Sequence, residues 1–285
     1  MTIRGPKPLH LLAAALFFCA APAASAQGGR LYGMIDADFL GHDIAFSVEL
    51  GRTHAVRFYN WGRHLEEVEG MAIDRQGEMY LFDETGVVKK VRLRTPDAQP
   101  DSVAAARYEV TSASVRPSDG MIELFDARRG QIVTFNPRTD AYVTPTTRRP
   151  RTRAPEFSGL ARSGTQLYGS AVARDSLHLH ACTDQECRPA CTAALGLAGD
   201  VQAIDGYTGT MLILARTSLT ETNQIVLHVE SLDPRTCARR QLFAVTLDRE
   251  RIRSFLKPSI DLDDVMRRAR RANRSPEIEA IVFQP

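Results

Sequence analysis

Glu67-Val-Glu-Gly-Met-Ala-Ile73, followed after a short turn by Met79-Tyr-Leu-Phe-Asp83, is the stretch on which the fold turns. An acidic residue opens a β-favouring run, a Gly-containing turn follows, and a second apolar run returns. The same figure recurs as Glu109-Val-Thr-Ser-Ala-Ser-Val with Met121-Ile-Glu-Leu-Phe-Asp. It recurs again as Glu156-Phe-Ser-Gly-Leu-Ala-Arg with Leu167-Tyr-Gly-Ser-Ala, and as Asp200-Val-Gln-Ala-Ile-Asp-Gly with Met211-Leu-Ile-Leu-Ala. A fifth first strand, Glu277-Ile-Glu-Ala-Ile-Val-Phe, ends the chain, and the second strand that suits it is Leu31-Tyr-Gly-Met-Ile-Asp, at the other end.

Roughly 42 to 47 residues separate the acids from Glu67 to Asp200, within the ~40–50-residue period of four-stranded propeller blades. The step from Asp200 to Glu277 is longer by one insertion. Ser259 to Asn273 reads as a helix there, with Ser259 as N-cap, Asp261, Asp263 and Asp264 at its start and Arg267 to Arg274 at its end. A repeat of this kind cannot bury its apolar face alone, so neighbours must stack. The expected fold is all-β: a five-bladed β-propeller, with six blades as the alternative, closed by pairing of the C-terminal strand with the N-terminal blade. With blades counted along the chain, blade one combines the two ends and Glu67 opens blade two.

The first 26 residues read as a secretory signal. Arg4 and Lys7 precede an apolar run from Leu9 to Ala21, and Ala24-Ser-Ala26 forms a small-x-small cleavage site before Gln27. The run of about 13 residues falls short of the ~20 that span a bilayer, and no later stretch is apolar enough to cross one. Residues 27–285 are then one propeller domain, periplasmic or secreted. A net charge of +2 across 285 residues gives no field that would favour nucleic acid. Removing the signal removes Cys19 and leaves Cys182, Cys187, Cys191 and Cys237, an even number in an oxidising compartment. The spacing matches no common zinc module. The favoured pairs are Cys182–Cys187, across a four-residue turn, and Cys191–Cys237 by elimination.

In a blade, strand one lines the channel and strand two runs back beside it, so the start of one and the end of the other share a face of the disc. Glu67, Glu109, Glu156, Asp200 and Glu277 all stand at the start of strand one. Two positions on, and on the same side of the strand, come Glu69, Thr111, Ser158, Gln202 and Glu279. At the end of strand two, blades one and two add Asp36, Asp38, Asp83 and Glu84, while the other blades place Arg128, Arg129, Arg174 and Arg216 near the same rim. Packed carboxylates must be solvated, paired with arginines or bound to a cation. Solvated or Arg-paired strand starts are the plain reading. Oxygen donors from Glu69, Glu279 and Gln202 also suit a hard cation such as calcium, and Glu69 with Glu279 is the pair to consider for acid/base chemistry. Arg128, Arg174, Arg216, Asp83 and Glu84 are the ligand-binding candidates, for a small or peptide-like molecule carrying an anionic group.

Other motifs are weaker. His178-Leu-His180 puts two imidazoles on one strand face without a third ligand, and Arg148-Arg-Pro-Arg-Thr-Arg153 reads as a solvated basic loop. No Gly-x-Ser-x-Gly, His-Glu-x-x-His or Gly-rich phosphate loop occurs.

Val68-Glu-Gly-Met-Ala-Ile-Asp with Gln76-Gly-Glu-Met-Tyr-Leu-Phe-Asp-Glu resembles the blade signature of exported phytase-like and esterase-like propellers. It is also similar to the SdiA-regulated group. The likeness covers this blade and a degenerate copy at Glu279-Ala-Ile. It implies a propeller, usually six-bladed, with a calcium association. The phosphate-binding and multi-carboxylate motifs of phytases are absent from the sequence, so the likeness speaks for fold more than for phosphoesterase activity. Function is therefore expected to be that of an exported binding module with a divalent-cation site at an acidic mouth. The alternative is a metal-assisted hydrolase of a phosphorylated or ester substrate.

Overall fold

A computed structural model of the chain describes residues 28–35, 43–51, 53–61, 65, 67–84, 86–93, 95, 99–105, 107–143, 157–173, 175–183, 186–195, 203–256, 260–271 and 275–285. The signal segment, the Arg148–Arg153 run and Ser259 lie outside them.

Among the described residues twenty strands form five antiparallel four-stranded sheets. β1 (Arg30–Ile35), β2 (Ile44–Glu49) and β3 (Val56–Tyr59) belong to blade one. Blade two is β4 (Val68–Ile73), β5 (Glu78–Asp83), β6 (Val88–Arg92) and β7 (Asp101–Ala104). Blade three is β8 (Val110–Val115), β9 (Ile122–Asp126), β10 (Gln131–Asn136) and β11 (Ala141–Val143). β12 (Gly159–Ser163), β13 (Gln166–Ala173), β14 (Ser176–Cys182) and β15 (Cys187–Ala194) make blade four. β16 (Ala203–Thr208), β17 (Met211–Leu219), β18 (Ile225–Leu232) and β19 (Arg239–Thr246) make blade five. Two helices, α1 (Arg249–Phe255) and α2 (Leu262–Arg271), precede β20 (Ile278–Gln284). β20 is the innermost strand of blade one, paired with β1 from Arg30↔Gln284 to Ile35↔Ile278. The innermost strands β4, β8, β12, β16 and β20 neighbour one another in a closed cycle. Five blades, and the closure expected between the two chain ends, are thus what the chain forms.

The period-2 pattern explains the packing. Alternate residues of each strand face opposite neighbours, so the apolar side chains collect between blades rather than within them. Leu31 and Ile35 face blade five with Ile213 and Leu227, while Tyr32 and Met34 face blade two with Val68, Met71 and Met79. Tyr80, Val110 and Leu124 fill the seam between blades two and three; Phe125, Phe157 and Leu160 fill the next; Leu177, Leu179, Leu212 and Leu214 fill the fourth. The helical insertion covers the outer end of the seam between blades five and one, where Ile252, Leu262, Val265 and Met266 are buried. The insertion differs from expectation in two respects. A first helix, α1, is capped by Asp248, which accepts from Glu250 N–H and Arg251 N–H. The cap of α2 is Asp261, whose Oδ1 accepts from the amides of Asp263 and Asp264.

Polar stitches cross the same seams. Val68 N–H donates to Asp43 Oδ2 at 2.8 Å between blades one and two. Thr111 Oγ1 donates to the Phe157 carbonyl at 2.6 Å between blades three and four. Phe283 N–H donates to Asp205 Oδ2 at 2.7 Å between blades one and five. At Gly70 the backbones come so near that a Cβ would lie 3.2 Å from Ala113 Cβ. Between blades four and five the link is covalent, Cys191–Cys237, and Cys182–Cys187 closes the hairpin of β14 and β15. Both favoured pairings are present, and a zinc site built from these cysteines is excluded.

The partners in Cys191–Cys237 lie 46 residues apart in sequence, and those in Cys182–Cys187 lie 5 apart. A chain-entropy account assigns about 4 kcal/mol to a loop of the longer size and about 2 to the shorter. Replacing Cys191 and Cys237 by alanine should therefore lower the denaturation midpoint clearly more than the same change at Cys182 and Cys187. Urea titrations of the two double variants check this.

Candidate functional site

In blades one, two and three the register puts the start of the first strand opposite the end of the second: Val68↔Asp83, Val110↔Asp126 and Ile278↔Ile35. This is the rim inferred from the sequence. In three blades the ladder slips by one residue just inside that rim, between Val68 and Gly70, between Val110 and Ser112, and at Ile278 and Ala280. The extra residues are Glu69, Thr111 and Glu279. A bulge re-aims its side chain, so these positions are set by backbone geometry and not by strand alternation alone. β4 and β20 are neighbours, which places Glu69 and Glu279 on adjacent innermost strands; Glu279 is buried. Gln202, Arg174, Glu156, Asp200, Asp36 and Asp38 lie outside the described residues. Among the described residues no group of three or more His, Cys, Asp or Glu is placed to hold a metal ion.

A cavity of about 470 Å³ opens at the rim between blades two and three, lined by Glu84, Arg107, Tyr108, Glu109, Asp126, Arg128 and Arg129. It sits where the acidic part of the rim meets the basic part. One wall is the turn after β5. Asp83 builds that turn, accepting from Val87 N–H at 2.8 Å on Oδ1 while its carbonyl accepts from Gly86 N–H. Gly86, at φ +82°, permits the close approach: a Cβ there would lie 2.0 Å from the Tyr108 carbonyl oxygen. Tyr142 then bridges the two blades, donating to the Gly86 carbonyl at 2.7 Å while its ring meets Tyr108 edge-on at 5.0 Å. Burial, with Asp83 adding to it, pushes the Tyr142 phenol well above its usual range, so it stays a donor.

The opposite wall comes from β9 and its turn. Asp126 is fully buried, and its Oδ2 accepts from Arg129 Nη1 at 3.2 Å and Gln131 Nε2 at 3.1 Å. Its Oδ1 has no partner among the described residues. The Arg107 and Arg129 guanidiniums lie 5.5 Å and 5.4 Å from the Tyr108 ring centre, within cation–π range. Glu84, Glu109 and Arg128 are exposed, with no ion-pair partner among the described residues. The cavity thus carries three carboxylates and three guanidiniums, of which one pair, Asp126–Arg129, is already joined.

Of the ligand-binding candidates, Glu84 and Arg128 meet in this cavity, and Asp83 supports it from beneath. Arg216 does not join them: its Nε donates to Glu230 Oε1 at 2.9 Å inside blade five, where Arg239 also approaches Glu230. Sequence reasoning missed Arg107, Tyr108 and Asp126. The repeated Phe82-Asp83 and Phe125-Asp126 endings of strand two were the available signal for Asp126. Elsewhere, His178 Nδ1 and Thr192 Oγ1 lie 3.1 Å apart, and burial lowers the pKa of His180, whose ring packs on Phe157. Ser218 Oγ and His228 Nε2 lie 2.7 Å apart, and burial lowers the pKa of His228, but its Nδ1 has no carboxylate to orient it among the described residues.

The ring of five four-stranded sheets defines the class: a five-bladed β-propeller. No protein family model and no curated protein matches the chain. Remote likenesses exist among solved structures. An auxiliary nutrient binding protein from Bacteroides ovatus is 14% identical with a TM-score of 0.41, covering 70% of this chain and 51% of that one. The chain therefore spans about half the length of that protein. A chain of a nidogen/laminin complex is 11% identical with a TM-score of 0.48, covering 90% and 98%. A hydrazine synthase chain from Kuenenia stuttgartiensis is 12% identical with a TM-score of 0.39, covering 64% and 50%. Two disulfides accord with a location outside the cytoplasm. Among the described residues no helix is long and apolar enough to cross a membrane.

Proposed function

We propose that the protein is a periplasmic or secreted propeller-type binding module whose ligand, small or peptide-like and bearing an anionic group, enters the cavity between blades two and three. One observation carries the reading: Arg128 and Arg107 stand at a cavity of about 470 Å³ without a carboxylate partner among the described residues. Guanidiniums in that position gain most from a planar anion, which they meet bidentately. The volume lies within the ~300–1,000 Å³ of small-molecule sites. Melting the mature protein against a panel of carboxylates, phosphates and short peptides tests this. At least one compound should raise the midpoint by several degrees, and the rise should vanish in Arg128→Gln. A flat panel with turnover of ester or phosphate substrates would transfer the site to the hydrolase reading.

The second reading, a calcium-type site serving binding or hydrolysis, draws on Glu69 and Glu279 sharing bulge positions on neighbouring innermost strands. A folded Glu69→Gln/Glu279→Gln variant whose melting answers calcium and chelator as the wild type does would dispose of it.

A further inference from the structure

We infer that the cavity between blades two and three takes an amphoteric ligand of the amino-acid or short-peptide class, its amino group against Asp126 and Glu109 and its carboxylate on Arg128 and Arg107. The inference rests on the binding-module reading and adds the ligand's second charge. Asp126 is the group that asks for a ligand donor. Its side chain is fully buried, yet among the described residues Oδ1 lacks a donor while Oδ2 has two. A buried acceptor left without a partner is costly. Asp126 lines the cavity, so a ligand donor that reaches Oδ1 relieves that cost.

The charges around the opening restrict what that donor can be. With Asp126 and Arg129 joined, two carboxylates, Glu84 and Glu109, and two guanidiniums, Arg107 and Arg128, still line the opening. A dianion would satisfy the arginines but face Glu84, Glu109 and the Asp126 oxygen across a short gap. A simple cation would meet the arginines in the same way. A neutral polyol satisfies hydrogen bonds but leaves all four charges uncompensated, and the Tyr108 ring it would stack on is already taken by Arg107 and Arg129. An ammonium and a carboxylate on one small molecule satisfy both sets. Three donor hydrogens of an ammonium suit the Asp126 Oδ1 with Glu109, and the planar carboxylate suits the Arg128 fork. The arrangement holds its groups in place before any ligand arrives: the Tyr142–Gly86 bridge locks one wall, and Arg129 with Gln131 locks the Asp126 carboxylate.

Calorimetric titration of the mature full-length protein tests it with free dipeptides, their N-acetyl and C-amide forms, succinate and inorganic phosphate. Free dipeptides should bind, and blocking either end should weaken binding by about tenfold or more. Asp126→Asn should weaken the free dipeptide comparably; where that buried change prevents folding, Glu109→Gln at the exposed edge should show a smaller loss confined to ligands with a free amino group. Binding unaltered by N-acetylation overturns the inference. Succinate or phosphate binding that needs Arg128 and ignores Asp126→Asn, with no dipeptide bound, overturns the inference while the anion-binding reading stands. Silence across every probe overturns both.

Discussion

A chain ended at Arg274 is expected not to reach the native state. β20 supplies the innermost strand of blade one, and Ile278, Ala280, Ile281, Val282 and Phe283 are all buried. Fully burying one large aliphatic or aromatic side chain contributes roughly 1.5–3 kcal/mol. Four such residues and an alanine together match the ~5–15 kcal/mol of net stability typical of a whole domain. The loss is also structural. β1 would expose its whole hydrogen-bonding edge, and an unpaired inner edge invites association with another chain. Size-exclusion chromatography and near-ultraviolet circular dichroism should report an aggregated or unpacked species. The decisive companion is a circular permutant. Arg30 pairs with Gln284, so residues 275–285 can be joined ahead of Gly28 through a loop of about 2–4 residues, a length usual for hairpins. That permutant should fold. A permutant as disordered as the truncation would mean that the strand's covalent attachment to α2, and not its place in the ring, is what matters.

Why closure was legible in the sequence, and the cavity only partly so, follows from how each is encoded. The ring is written five times over, and each copy of the first strand carries an acid, apolar alternation and a small residue. Glu277-Ile-Glu-Ala-Ile could therefore be matched to Glu67-Val-Glu-Gly-Met and placed beside Leu31 across 246 residues of chain without any local signal. The bulges were not legible, because the extra residue at Glu69, Thr111 and Glu279 is a property of the pairing, not of either strand. Rim position puts Glu84 and Arg128 at one edge, where they line the same cavity, since strand ends follow from strand order. It overreached at Arg216, because the hairpin register that sets Arg216 opposite His228, and within reach of Glu230, is decided by the turn at Thr220 to Gln224. Tyr108 and Arg107 come from a connection, not a repeat. Their placement depends on Gly86 letting the neighbouring blade's turn touch the Tyr108 carbonyl, a contact between segments whose proximity no pattern announces.

The seam that closes the ring should also make stability depend on pH, through Asp205. Its carboxylate lies between β16 and β20, with Oδ1 accepting from Gly206 N–H and Oδ2 from Phe283 N–H, both at 2.7 Å. Burial pushes this carboxyl up to about 7 against the two amide donors that favour its charge. Because the folded form holds the proton more tightly than the unfolded chain, the sign is opposite to that of the usual salt-bridged acid. The contribution is complete below about pH 4, the unfolded range, and is lost as pH climbs through 7. Asp205 is only partly buried, so its contribution across that window is smaller than the roughly 4 kcal/mol that a shift of this size carries in full. Asp205→Asn cannot ionise and keeps one acceptor, at a constant cost of about 1 kcal/mol for the second hydrogen bond. The difference in melting temperature, variant minus wild type, should therefore be near zero or negative at pH 4.5 and move steadily in the variant's favour towards pH 8. Asp205→Ala should follow the same slope from a lower starting point, since it loses both amide contacts on the strand that completes the ring. Parallel melting curves for wild type and Asp205→Asn at every pH from 4.5 to 8 would show that the carboxyl titrates normally and that the closing seam is indifferent to its charge.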